Sequence, residues 1–370
     1  MQKRILFAIS SLGLGHATRT LSVIKSFLND YKVYVLSAGK ALSMLKDELS
    51  EYEVTFYKYQ DYPALERGFG ILFHYNLIMD SIYAMYIMAK AHIFIKKLIK
   101  KEKINVIISD GRYGMSNKKI SSFLLTHQVE YKLPYKVFYL KIGSNVLNRI
   151  YFSGFDKLLI PDYKDKDYNL TGGLSHSSWL RGLKYRYVGI LSSYKKTIVQ
   201  QDIDYLFIIS GFLHEQKETF VSKLFEQGKE LEGRKVFILG DPSSNYHKID
   251  KKNNLEIYSV ASKELKNELF SRAKYIISRC GYSTIMDLVE MDRQALLIPT
   301  LNQSEQEYLA KYYEERDYFS VFHDQFNFDI KKLLKNRNKV KPFIAPHKTE
   351  TSIKKIHEEV NKMMKKKMVK

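Results

Sequence analysis

Between Ser278 and Ala310 the chain reads SRCGYSTIMDLVEMDRQALLIPTLNQSEQEYLA, and two kinds of chemistry lie side by side in it. An apolar run, KYIIS, turns at Gly281 into a helical pattern that opens with Tyr282, Ser283 and Thr284. Backbone N–H groups and the helix dipole favour an anion at such a start, and a diphosphate suits it. A second apolar run, ALLIP, ends in a polar loop that carries Gln303, Gln306 and Glu307. Between them these side chains can donate to and accept from sugar hydroxyls. Asp287 adds a carboxylate able to grip ribose hydroxyls. The same residues also read as two capping boxes, Thr284 with Asp287 and Ser304 with Glu307, whose acids would serve backbone N–H groups. A nucleotide sugar would present both the anion and the hydroxyls.

A second candidate centre follows the first apolar run, RILFAIS, as Ser10-Ser11-Leu12-Gly13-Leu14-Gly15-His16-Ala17-Thr18-Arg19. Gly13 and Gly15 permit a tight turn and a close ligand approach, and they deliver His16 to a helix start. A neutral imidazole there can take a proton from a substrate hydroxyl. An ordinary strand-to-helix turn is the alternative. A general base needs an orienting partner. Asp110, which closes INVIISD, is the expected one, with turn formation as its alternative role. The loop after it supplies Arg112 and Tyr113, and His127, ending FLLTH, is a rival partner or a substrate contact. Ser210-Gly211, after the run DYLFIIS, would let backbone approach phosphates.

These residues need elements that bring strand ends together. Apolar runs of strand length alternate with helical patterns, the signature of a parallel α/β sheet. Strands are predicted over Arg4–Ser10, Lys32–Leu36, Val54–Tyr57, Asn105–Ser109, Ser121–Thr126 and Lys157–Ile160. A second set is predicted over Tyr205–Ser210, Lys235–Leu239, Glu256–Tyr258, Tyr275–Ser278 and Ala295–Pro299. The polar stretch LSSYKKTIVQQD separates the sets, which gives two doubly wound domains, residues 1–196 and 197–347. Residues 348–370 form a basic helix expected to pack back toward the N-terminal domain. Ligands of such sheets sit at the carboxyl ends of strands, so a cleft between the domains is the expected site. The apolar-aromatic stretch 69–99 reads as a core helix pair, or as an exposed apolar face that meets an acceptor or a lipid.

Composition narrows the classes. The 370 residues are 45% hydrophobic, ample for a packed core, and a single Cys280 forbids an internal disulfide, as befits a reducing cytoplasm. No apolar run reaches the roughly 18 residues of a membrane span. The net charge of +20 has two readings. It can attract anionic lipid head groups through clusters such as Lys96-Lys97-Leu98-Ile99-Lys100-Lys101 and Met363–Lys367, or it can be solvated surface lysine. A nucleic-acid module is not found. The turn after Gly15 is a poor dinucleotide fingerprint, which disfavours NAD. Asp165-Lys166-Asp167 spells a metal-binding triplet, but in a charged loop away from any strand end, and no zinc spacing occurs. No metal and no cofactor are expected.

The motifs together resemble the two-domain GT-B glycosyltransferases of the family 28 type, related to the peptidoglycan N-acetylglucosaminyltransferase. The resemblance rests on GLGHATR (Gly13–Arg19), RYG (Arg112–Gly114), THQ (Thr126–Gln128), LSH (Leu174–His176), Ser210-Gly211 and the SRCGYST…LLIPT…QSEQEYLA block. It implies a nucleotide donor, most often UDP, cradled by Gly281, Tyr282, Ser283 and Thr284. Asp287 would stand at the ribose position, and backbone near Val260–Lys263 would read the base. Gln303, Gln306 and Glu307 would hold the sugar, and His16 with Asp110 would serve the acceptor. The implied activity is inverting, metal-independent transfer from a UDP-sugar to a hydroxyl, with a membrane lipid or lipid-linked glycan as one acceptor class. A nucleotide-sugar epimerase and a non-catalytic sugar- or lipid-binding protein share the architecture. The chain departs from the pattern at Phe212-Leu213-His214-Glu215, after Ser210-Gly211, and at Gly111, where Asn is usual.

Overall fold

The computed structural model describes residues 2–62, 70–132, 138–209, 217–240, 246–301, 303–325, 327–335, 340–341 and 343–368. The chain forms two compact units, Met1–Ser193 with His347–Lys370, and Tyr194–Pro346.

The first unit is built on β1 (Lys3–Ile9), β2 (Tyr31–Ser37), β3 (Val54–Lys58), β4 (Val106–Asp110), β5 (Ser121–Leu125), β6 (Lys157–Ile160) and β7 (Tyr185–Tyr187). They pair in the order β3-β2-β1-β4-β5-β6-β7, and every pairing is parallel. The central strands are buried on both faces, so β4 is a continuous VIISD run rather than an alternating one. Helices α1 (Leu14–Phe27), α2 (Gly39–Glu48), α3 (Gly70–Glu102) and α4 (Phe138–Phe152) complete the described part of the winding. From β1 the chain winds to one side through β2 and β3, then crosses back to β4. The β1/β4 boundary is therefore the switch point, where neighbouring loops diverge and leave room for a ligand. Its register sets Ile9 opposite Asp110.

The stretch expected as a helix pair is one helix of 33 residues. Nothing between Ile71 and Lys101 is Gly or Pro, so the ladder runs unbroken. It stops where Lys103 turns to φ 50° and the Ile104 N–H reaches back to the Ile99 carbonyl. One face is core, with Ala91, Ile95 and Leu98 packed on β1 and β4 residues. The other leaves Met79, Ile82, Tyr83, Met85, Tyr86 and Ile93 exposed, which is the second of the two expectations.

The second unit contains β8 (Ile203–Ile208), β9 (Lys235–Ile238), β10 (His247–Asp250), β11 (Leu255–Tyr258), β12 (Ala273–Arg279), β13 (Ala295–Ile298) and β14 (Ser320–Val321). Their order is β10-β11-β9-β8-β12-β13-β14, and only β10 runs antiparallel to its neighbour. Helices α5 (Lys217–Lys229), α6 (Lys263–Arg272), α7 (Tyr282–Glu290), α8 (Ser304–Glu314) and α9 (Ile330–Lys335) accompany it. Phe207 and Phe237 stack at 4.0 Å in a core that also takes Phe220, Tyr275 and Ile298. Burying each such side chain is worth roughly 1.5–3 kcal/mol. Here the switch point falls between β8 and β12.

The last helix, α10 (Thr349–Met368), belongs to the first unit. Ile356, Val360 and Met364 are its buried stripe, and the His357 ring stacks on Phe27 of α1 at 3.8 Å. Glu359 pairs with Lys157 and Arg186, and Lys367 with Asp156 at 2.6 Å. Part of the basic tail is thereby tied to the fold: Met364 is buried and Lys367 also donates to the carbonyls of Lys118 and Ile120.

Candidate functional site

His16 and Asp110 meet in the first unit. The turn after β1 is forced at Gly13, whose φ of 96° suits glycine alone, and α1 then begins at Leu14 with no side-chain cap. His16 falls in its first turn, over the end of β4. Its Nδ1 lies 2.8 Å from Asp110 Oδ1, and the Ser10 N–H donates to the Asp110 carbonyl at 2.9 Å. Gly111 lets the pair close: its φ is +71°, and a Cβ there would stand 2.9 Å from His16 Cε1. Any side chain there would press on the imidazole as it stands.

Asp110 is wholly buried. Burial alone would push its carboxyl up, yet the charges of Arg19 and His16, with their hydrogen bonds, hold it far below the usual carboxylate range. Arg19 Nε donates to Oδ2 at 2.8 Å, Arg19 Nη2 donates to Oδ1, and the Thr20 hydroxyl donates to Oδ2 at 2.6 Å. An ionised carboxylate only accepts, so His16 Nδ1 carries the proton toward it and Nε2 keeps its lone pair. Among the described residues no hydrogen-bond partner holds Nε2, and the side chain is 24% exposed. A histidine so disposed can receive a proton from a hydroxyl.

His127 does not compete for Asp110. Its Nδ1 lies 2.9 Å from Arg19 Nη1 instead. Arg112 is 1% exposed and gives its guanidinium to the carbonyls of Tyr59 and Gln60, so it braces a loop where an acceptor contact was expected. Tyr113 stands in an aromatic stack with Tyr62 and Tyr151. Two residues that the sequence reading passed over complete the centre. One is Arg19, visible only as the last letter of GLGHATR. The other is Asp61, which no motif marks: its Oδ2 accepts from the Ser10 and Ser11 hydroxyls at 3.0 Å and from the Ser11 N–H. It thereby fixes the glycine turn, including the approach to Gly15.

In the second unit both capping boxes dissolve. The N-cap of α7 is Gly281, with no side-chain cap, because the helix starts at Tyr282 and leaves Thr284 inside the first turn. The N-cap of α8 is Gln303, also without a side-chain cap. By contrast α6 is capped, with the Ser262 hydroxyl accepting from the Leu265 N–H at 3.2 Å. The first α7 bond runs from the Ile285 N–H to the Gly281 carbonyl, so the N–H ends at Ser283 and Thr284 face outward from the helix start. Tyr282 is 2% exposed and offers backbone only, while Ser283, Thr284 and Asp287 are half-buried. Val260 is exposed just beyond the end of β11.

Gln306 is tied into its own loop. Its Oε1 accepts from the Thr300 N–H at 2.9 Å and its Nε2 donates to Gln303 Oε1, so it shapes the loop after β13. Glu307 lies one residue on and is half-buried. Arg279 closes β12: its Nη1 donates to the Pro299 carbonyl and to Gln325 Oε1, and its guanidinium lies 3.7 Å over the Phe220 ring. Ser210 and Gly211 lie outside the described residues. Asp165 and Asp167 form an exposed turn in which Asp165 accepts from the Asp167 N–H. Among the described residues no cluster of three or more His, Cys, Asp or Glu side chains could hold a metal.

Residues 213–369 match the family described as the glycosyltransferase family 28 C-terminal domain. That segment resembles a family 28 C-terminal domain, and the chain as a whole has a GT-B fold. Glycosyl transfer is the activity that this match supports. The family 28 match takes in the second unit from residue 213 and continues through α10. The whole chain is similar in fold to CalG4, the calicheamicin glycosyltransferase, with 11% identity, 99% of each chain covered and a TM-score of 0.62. Against MurG of Acinetobacter baumannii the figures are 14% identity, 99% of this chain, 100% of that chain and 0.56. A Listeria monocytogenes protein provisionally described as a UDP-N-acetylglucosamine 2-epimerase aligns at 9% identity over 96% of this chain and 95% of its own, with a TM-score of 0.57. At such identities the likeness is one of fold. Comparison with curated proteins gives no match.

Proposed function

We propose that the protein moves a sugar from a UDP-sugar, such as UDP-N-acetylglucosamine, to an acceptor hydroxyl with inversion and without a metal ion. The observation that carries this reading is the His16–Asp110 contact at the switch point of the first unit, in a chain whose second unit matches family 28. The acceptor proton passes to His16 Nε2 as its oxygen bonds to the anomeric carbon. The bond from that carbon to the diphosphate oxygen breaks with its electron pair, and UDP leaves. Attack opposite the leaving group inverts the centre. The uncapped start of α7, with the Ser283 and Thr284 hydroxyls, would meet the charge growing on the diphosphate. Asp287 would take the ribose hydroxyls, and Gln303 with Glu307 the sugar.

Melting curves with UDP, GDP, TDP and their sugars test the donor, since a ligand of the native state raises the melting temperature. UDP and one UDP-sugar are expected to stabilise, by about 2.7 kcal/mol at a hundredfold excess over Kd. Asp287→Ala is expected to weaken UDP at least tenfold by calorimetry, and turnover is expected to survive a chelator. A flat response to all three nucleotides rejects the donor assignment. Epimer formed from the UDP-sugar with no acceptor present rejects transfer in favour of epimerisation.

The acceptor is proposed to lie at an anionic membrane surface. Exposed Met79, Ile82, Tyr83, Met85, Tyr86 and Ile93 of α3 share a helix with exposed Lys96, Lys97, Lys100 and Lys101, and α4 exposes Ile142, Val146 and Ile150. Apolar contact with lysine attraction is the combination that holds a protein on such a surface. Among the described residues no helix is long and apolar enough to cross a membrane. Binding to phosphatidylserine vesicles that weakens between 50 and 500 mM salt is expected. Absence of binding at low salt removes the membrane from the reading.

A further inference from the structure

Arg19 is 3% exposed and touches three functional groups at once. It grips both oxygens of Asp110, its Nη2 lies 3.1 Å from His16 Nδ1, and its Nη1 lies 2.9 Å from His127 Nδ1. It sits one turn beyond His16 on α1, so the helix itself sets its distance from the imidazole. We infer that Arg19 is the positioning residue of the centre, holding His16 as an Nε2 acceptor and His127 as an Nε2–H donor. This rests on the reading of His16 as the general base.

A carboxylate beside a histidine stabilises the imidazolium, and unopposed it would spoil a base by keeping it protonated. Arg19 neutralises that carboxylate and places a cation beside the ring, while Asp110 orients His16 through Nδ1. Arginine has no acceptor and is never deprotonated. Its contact with His127 therefore requires a lone pair on Nδ1, which leaves the His127 proton on Nε2. At His16 the ionised Asp110 Oδ1 is nearer, at 2.8 Å, and can only accept, so it accepts from the Nδ1–H. Arg19 Nη2, at 3.1 Å, acts there as a neighbouring charge and not as a hydrogen-bond donor. The two rings thus hold opposite tautomers. The charged and titratable groups around His16 are Asp110 at the end of β4, Arg19 on its own helix, His127 beyond β5 through Arg19, and Asp61 beneath the glycine turn.

The test begins on the unaltered protein without substrate. Nitrogen-15 spectra of the imidazoles at neutral pH are expected to show His16 protonated at Nδ1 and His127 at Nε2. The reverse pattern at either ring overturns the inference, whatever the protein's activity proves to be. Then Arg19→Gln is compared with Arg19→Lys, each checked by its melting curve. In Arg19→Gln the His16 titration and the acid limb of the pH–rate profile are expected to move up together by about one to two pH units, as for loss of a charge within 4–6 Å. Arg19→Lys keeps the charge and should restore the limb. An unmoved His16 titration in Arg19→Gln reduces Arg19 to packing. A moved titration with an unmoved rate profile leaves Arg19 in place and removes His16 as the base.

Discussion

His16→Ala is expected to lower turnover by on the order of 10²–10⁴, the range for losing a positioned general base, while leaving UDP binding and the melting temperature close to those of the parent. The expectation separates because the contacts of His16 are confined to the Asp110 and Arg19 cluster and its Nε2 faces outward. The donor contacts proposed above lie on other elements, the starts of α7 and α8. Asp110 keeps Arg19 and Thr20 as partners in the variant, so no buried charge is orphaned. The acid limb of the pH–rate profile should vanish together with the base. Steady-state kinetics with donor and acceptor varied in turn decides the matter. A rate within threefold of the parent takes His16 out of the proton transfer.

The fold was legible wherever a strand is buried on both faces. Runs such as KRILFAI, VIISD and AKYIISR have no reason to be so continuously apolar except a two-sided core, and the observed strands agree with the predicted ones to within two residues at most ends. The unpredicted strands are of another kind. Tyr185–Tyr187 and Ser320–Val321 are too short for a pattern, and His247–Asp250 is a largely exposed antiparallel edge held by backbone bonds. The helix over residues 70–102 was misjudged because its apolar residues run all round it. Periodicity alone cannot say which side of such a helix is left in water.

In the site, His16 and Asp110 could be paired from the sequence because Asp110 closes one apolar run, His16 opens the helix just after another, and strands flanking a switch point end side by side. Arg19 was in view but unassigned, since an arginine one turn into a helix is ordinarily solvated and nothing local reveals that it turns inward. Asp61 had no signal at all: its partners are fifty positions away, and it acts on a loop rather than on a ligand. The capping boxes failed for a local reason. Each placed the N-cap at the Ser or Thr, whereas the N-caps are Gly281, three residues before Thr284, and Gln303, one residue before Ser304, both without a side-chain cap.

Asp110→Asn should cost both stability and activity, and the two losses have different origins. The substitution is nearly isosteric, yet it leaves the Arg19 cation buried without its counter-ion. Breaking a buried pair from one side costs about 3–5 kcal/mol, which lowers the melting temperature of the first unit by on the order of 10 °C. The catalytic loss comes from the amide, which can present its oxygen or its N–H to His16 Nδ1 and so no longer fixes the tautomer. Losses of such coupled groups do not add, so Asp110→Asn combined with His16→Ala should be little slower than His16→Ala alone. The stability claim has a pH signature. The folded carboxyl lies well below its unfolded value, so its contribution is complete above that value, near pH 4, and fades as pH falls toward the folded one. Parent and variant should therefore differ most at neutral pH and converge in acid. Adding Arg19→Gln to Asp110→Asn removes the orphaned cation and should recover part of the lost stability, because a neutral pair is less costly to bury than half an ion pair. Melting of the four proteins in that cycle is decisive. If Asp110→Asn melts with the parent at pH 7, or if the double variant is less stable than either single one, the buried ion pair does not hold this centre together.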